Sequence, residues 1–159
     1  MRIRDKIKKP QRPVVAYEIL PPREKDGTLN TYAETISSLL SQTHIDAINI
    51  PEVHDEIGRG ERPVSNQERG EPRKFGMLLQ DIVGVEAIIN RVVVHMPMKK
   101  QMEWIQETHS KYEIDNLIIV GGESSKQQYP GPTVNESLKR ISEVNSCLLY
   151  TSPSPRDFG

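Results

Sequence analysis

Glu18 sits in the run Tyr-Glu-Ile-Leu-Pro-Pro-Arg, a carboxylate inside an otherwise apolar stretch. Burying such a group is costly unless it is paired. Kept protonated by burial, Glu18 would serve as a general acid. Bonded to an arginine or a backbone amide, it would be structural. Spacing alone leaves both readings open. The second candidate is Val-Gly-Gly-Glu-Ser, residues 120–124. Gly121 and Gly122 let backbone approach a ligand closely, and Glu123 follows them; the same residues also suit an ordinary turn. The third is His95, which closes Val-Val-Val-His. No second histidine stands at ligand spacing, so no metal is expected, and His44, His54 and His109 carry no signal of their own. The fourth is Tyr-Pro-Gly-Pro-Thr-Val-Asn-Glu, residues 129–136. It offers Tyr129 and then a capped helix start, which suits an anion or simply good capping.

Four strand and helix pairs are needed to place these groups. Residues 14–20 read as a buried strand stopped by two prolines. Thr31 and Glu34 form a capping-box pattern ahead of Ile36, Leu39 and Leu40 on one helical face. Residues 46–51 read as a second strand, and 52–73 as a long charged loop with Glu52, Asp55 and Glu56 but no metal motif. A helix over 75–83 ends at Gly84. The third strand spans 88–96. A helix over 99–111 turns Met102 and Ile105 inward. The fourth strand is 116–120. Thr133 and Glu136 form another capping box, followed by the stripe Val134, Leu138, Ile141 and Val144. Strands alternating with helices imply a parallel sheet. Two α/β architectures fit, an open doubly wound sheet and part of an eight-stranded barrel. In both, function gathers at the carboxyl ends of strands.

Composition narrows the partners. Lys plus Arg number 21 and Asp plus Glu 22, a net charge of -1. That balance gives no footprint for nucleic acid or an anionic membrane. No apolar run reaches the roughly 20 residues that span a bilayer. The single cysteine, Cys147, falls in the last stretch, so the rest holds no disulfide or thiolate chemistry. Residues 1–13 form a basic leader without the apolar core of a secretory signal. A cytoplasmic protein is expected.

Taken in order, Tyr-Glu-Ile-Leu-Pro-Pro-Arg and Asn-Leu-Ile-Ile-Val-Gly-Gly-Glu-Ser-Ser-Lys-Gln-Gln-Tyr-Pro-Gly-Pro-Thr resemble the opening and fourth-strand segments of the methylenetetrahydrofolate reductase family. The resemblance covers residues 14–146. It implies the first half of a (β/α)8 TIM barrel, four βα units of it. It also implies FAD-dependent reduction of 5,10-methylenetetrahydrofolate to 5-methyltetrahydrofolate, with NAD(P)H as electron donor. Glu18 takes the general-acid position and Glu123 the place of a carboxylate near the pterin. His95, Gly122 and Tyr129 take cofactor-contacting positions. Two departures stand out: Gly121 replaces an arginine, and the second strand ends in Asn-Ile-Pro-Glu-Val where a polar end is usual. The alternative is a flavin-free barrel that binds a folate or pterin for methyl transfer, or in a binding or subunit role. A homo-oligomer or a partner subunit is compatible with either.

Cys147 to Asp157, Cys-Leu-Leu-Tyr-Thr-Ser-Pro-Ser-Pro-Arg-Asp, resembles the translated read-through of a transposase-type sequencing adapter. Residues 147–159 are therefore expected to be a non-native tail and the native segment to stop near Ser146. Half a barrel is expected to be inactive alone, with open strand edges.

Overall fold

Nine regular elements arise in the computed structural model, which describes residues 1–54, 69–124 and 126–144. They are α1 (Ile3–Lys8), β1 (Ala16–Glu18), α2 (Leu29–Leu40), β2 (Ala47–Pro51), α3 (Pro72–Val83), β3 (Glu86–Val92), α4 (Met98–Tyr112), β4 (Asn116–Val120) and α5 (Val134–Val144). Asp55, Glu56 and the adapter-like tail lie outside the described residues.

The four strands form one parallel sheet in the order β1-β2-β3-β4. A doubly wound sheet reverses its strand order at a switch point; this one does not. Parallel crossovers are right-handed, so sequential order sends every helix to the same face. Burial agrees. Ile48, Ile50, Ala87, Ile89, Leu117 and Ile119 are buried among Phe75, Leu79, Ile105 and Ile141. The residues that alternate with them, Glu18, Asn49, Ile88, Asn90, Asn116 and Ile118, share the opposite, inner face. That layering is consistent with successive βα units, four in number, of a partial βα barrel.

Local chemistry explains the element ends, including those the sequence misplaces. Helix α2 starts at Leu29 because Thr28, not Thr31, is its cap: Thr28 Oγ1 accepts from the Thr31 amide at 3.2 Å. Its buried stripe is Ala33, Ile36 and Leu40, while Leu39 is 63% exposed. Helix α3 begins three residues before Phe75. Glu71 caps it by accepting from the Lys74 amide at 2.8 Å, Pro72 opens it, and left-handed Gly84 ends it. Strand β3 stops at Val92, and Val93–His95 turn as a 3-10 helix. There the Gln101 side-chain amide takes the Val93 carbonyl at 2.7 Å and the Gly131 amide takes that of Val94 at 2.8 Å. Both carbonyls are thereby lost to the ladder. Strand β4 and the capping box of α5 form as expected: the Thr133 amide donates to Glu136 at 2.8 Å and the Glu136 amide to Thr133 at 3.2 Å.

The basic leader is partly a folded helix. Ile3 is buried, Lys6 Nζ meets Asp46 at 2.9 Å, and Arg2 pairs with Asp115 and Glu86. Those three carboxylates stand at the amino ends of β2, β3 and β4, so α1 closes the end of the sheet away from the strand tips. Six residues are too few for periodicity to announce a helix.

Asp46 gathers the most bonds there. It accepts from the Val15 amide at 2.8 Å, Lys6 at 2.9 Å, Arg12 at 2.9 Å and His44 at 3.3 Å. The Val15 amide, then Lys6 and Arg12, hold its carboxyl well below the ordinary 3.8. A depressed folded pKa adds stability above the unfolded value, and that stability is lost as pH falls through the folded one. Asp46→Asn will therefore lower the urea midpoint at neutral pH and flatten its fall between about pH 4 and about pH 2. Unfolding curves at a series of pH values check this; an unchanged acid slope would disprove it.

Candidate functional site at the carboxyl ends of the strands

Strand β1 is short and lies at the sheet edge. The Ile19 amide still bonds the Asn49 carbonyl at 3.0 Å, after which Pro21 and Pro22 supply no donor and the ladder ends. Glu18 is its last residue, and Oε2 accepts from Asn49 Nδ2 at 3.1 Å. The expected shelter is absent: Ala16, Tyr17 and Glu18 are all exposed. Ala16 and Glu18 lie on the inner face, which no described element covers, and Tyr17 lies on the other face at the sheet edge. A role for Glu18 as an acid kept protonated by burial therefore finds no support in this arrangement, and its place at the strand tip does the positioning.

Two clefts meet at Glu18. One, of about 260 Å³, is lined by Glu18, Glu52, His54, Val92 and Glu123 among others. The second, of about 470 Å³, runs from Glu18 past Pro22 and Arg23 to Tyr32 and Arg69. Arg69 Nη1 donates to the Pro21 carbonyl at 2.9 Å and ties the returning loop to the strand tip. Glu18 and Glu123, remote in sequence, thus face one space. Beneath them, Asn49 Oδ1 and Asn90 Oδ1 are buried acceptors with no hydrogen-bond partner among the described residues.

Tyr129 and Gly122 come together, in a structural arrangement. A β-carbon on Gly122 would lie 2.1 Å from Cζ of Tyr129, so the glycine is what admits the ring. The Tyr129 hydroxyl accepts from the Ser124 amide at 2.9 Å and donates to the Ser124 carbonyl at 3.2 Å. This clamps the turn that presents Glu123. His95 meets Tyr129 edge-on at 5.5 Å and stacks on His54 at 4.3 Å. At α5 the capping box engages the amides of Thr133 and Glu136, two of those at the helix start.

A buried polar chain behind the cleft is the part that sequence reasoning missed. Arg91 Nη1 donates to both carboxylate oxygens of Glu52 at 3.0 Å. Arg91 Nε donates to Gln101 at 3.0 Å, and its guanidinium lies 4.0 Å from the Trp104 ring. His54 Nε2 reaches Glu52 at 3.1 Å. A signal existed: Arg91 stands inside an apolar strand run, where a cation demands a partner. Among the described residues no cluster of three or more His, Cys, Asp or Glu could hold a metal, and no helix is long and apolar enough to cross a membrane.

No family model matches the chain, and no curated protein matches it. Among solved structures, it is similar to an uncharacterized protein from Clostridium thermocellum that binds two copies of 5-methyl-5,6,7,8-tetrahydrofolic acid. The identity is 20%, the TM-score 0.63, and the match covers 93% of this chain and 46% of that one. The chain therefore shares that protein's fold over less than half of its length.

Proposed function

We propose that this chain supplies four βα units of a (β/α)8 barrel and binds a reduced folate at its strand tips. The observation that carries this is the convergence of Glu18 and Glu123 on one cleft. A tetrahydropteridine presents several N–H donors along one edge, and carboxylates accept such donors in pairs. The spare acceptors of Asn49 and Asn90 add to the same surplus. The shared fold of a protein that binds 5-methyltetrahydrofolic acid supports the choice of ligand.

His95, Gly122 and Tyr129 are the residues the resemblance assigns to FAD. They pack on one another and on His54, with the tyrosine hydroxyl engaged by Ser124. The tyrosine hydroxyl is thus engaged by the turn itself, and the reading adopted is a flavin-free role in folate binding or methyl transfer. The reductase reading keeps one point of support, a glutamate at the tip of the first strand. A flavin absorption band in the purified protein, with NAD(P)H-dependent turnover of 5,10-methylenetetrahydrofolate, would favour it instead.

Calorimetric titration of the full chain with 5-methyltetrahydrofolate tests the ligand. Glu18→Gln and Glu123→Gln will each weaken binding by about 10-fold to 100-fold, from the loss of a charged hydrogen bond worth roughly 1.5–3 kcal/mol. Glu143→Gln on the outer surface will not. Absence of binding by the unaltered chain, or equal affinities across the set, would overturn the assignment.

A further inference from the structure

We propose that Glu52 and His54 form an acid–base pair at this cleft, with Nδ1 of His54 as the atom that exchanges a proton with a ring nitrogen of the bound tetrahydropteridine. The proposal rests on the folate reading above and adds a proton-handling group to it. The argument begins in the core. Arg91 and Glu52 each have side chains only 6% exposed. The arginine is fixed from behind by Gln101 Oε1, and Gln101 is fixed in turn by the Val93 carbonyl. Trp104 covers the flat guanidinium. A fork held this way presents its hydrogens in one direction, and Glu52 receives them on both oxygens.

Glu52 is therefore an acceptor toward its next neighbour, and the hydrogen in the Glu52–His54 contact belongs to Nε2 of the imidazole. A neutral imidazole with hydrogen on Nε2 carries its lone pair on Nδ1. Among the described residues, the Nε2 contact is the single hydrogen bond of His54. Its side chain is 28% exposed and lines the cleft that Glu18 and Glu123 share. The stacked ring of His95 holds it in plane. An oriented carboxylate and an imidazole in one tautomer whose ring lines a cleft together make a base–orienter pair.

The step balances without a further reactant. With a pteridine ring nitrogen protonated, its N–H bond breaks and the electron pair stays on that nitrogen. A new N–H bond forms at Nδ1, and the positive charge passes to an imidazolium that faces Glu52. The reverse returns the proton. Glu52, after β2, bonds the ring and His95, in the turn after β3, stacks on it; Glu18 from β1 and Glu123 from the turn after β4 line the same cleft. Arg91 stands behind Glu52 and acts through it, as a positioning residue.

Two measurements on the full chain decide it. Nitrogen NMR of the imidazoles, without ligand, will show His54 with hydrogen on Nε2, and Glu52→Gln will lose that preference. Hydrogen on Nδ1 in the unaltered chain would overturn the pair outright. Nitrogen NMR of the complex with 5-methyltetrahydrofolate, bound from a buffer that protonates its ring nitrogen, will show His54 gaining hydrogen on Nδ1, and Glu52→Gln will lose that gain while still binding the folate. A complex in which His54 Nδ1 stays without hydrogen would overturn the proton role and leave folate binding intact. No folate binding at all would remove the substrate from the proposal, while the tautomer measurement still judges the pair.

Discussion

Arg91→Leu will destabilise the chain by about 3–5 kcal/mol, the cost of leaving a buried charge without its partner. The residue it abandons is Glu52, whose carboxylate loses both bonds from Nη1 and retains, among the described residues, the bond to His54. Gln101 Oε1 and the face of Trp104 lose a partner as well. A stability of 5–15 kcal/mol is ordinary for a domain, so a loss of this size moves a large share of molecules to the unfolded state. Glu52→Leu combined with Arg91→Leu will cost much less than Arg91→Leu alone, because the stranded charge is gone. Urea unfolding of the two variants checks this. A double variant as unstable as the single one would show that packing of the arginine, and not its charge, is what the core requires.

Gly131→Ala will cost about 3 kcal/mol, at the upper end of ordinary overpacking. A β-carbon there would lie 2.4 Å from the Met96 carbonyl oxygen and 2.7 Å from that of Val93. Both are backbone atoms, already fixed by the turn after β3 and by the bond from the Gly131 amide to Val94. They cannot swing aside as a side chain can. Gly122→Ala makes an instructive contrast. The nearer clash, at 2.1 Å, is with the ring of Tyr129, which can rotate away once its bonds to Ser124 are given up. Gly122→Ala will therefore lose less stability than Gly131→Ala, and will loosen the turn that carries Glu123 and weaken the proposed folate binding. Thermal midpoints separate the two. Equal losses would mean that the contact at Gly131 relaxes as easily as the one at Gly122.

Most of the sheet was legible because its strands are short apolar runs bounded by proline and glycine. Asn116–Val120 and Ala47–Pro51 match the expected spans closely, and Gly84 ends its helix where the sequence places the end. The errors came where a side chain overrides a pattern. Gln101 and Gly131 draw off the carbonyls of Val93 and Val94, so an apolar run that reads as strand becomes a turn. Thr28 captures the start of α2 one turn ahead of the visible capping box.

For the site, the amino-acid order alone determined which residues gather beyond the strands: Glu18 ends β1, and His95, Gly122, Glu123 and Tyr129 lie in the connections that follow β3 and β4. What surrounds each of them was decided only by the tertiary structure. Whether Glu18 is sheltered depends on what covers the inner face of an edge strand, and nothing in its own segment says. That Tyr129 is spent on Ser124, and that Arg91, Glu52 and His54 form one chain, depends on parallel crossovers bringing distant segments to the same sheet end. Local sequence sets backbone preferences over a few residues, whereas the partners of a buried polar group are chosen by contacts between segments that sequence spacing does not relate.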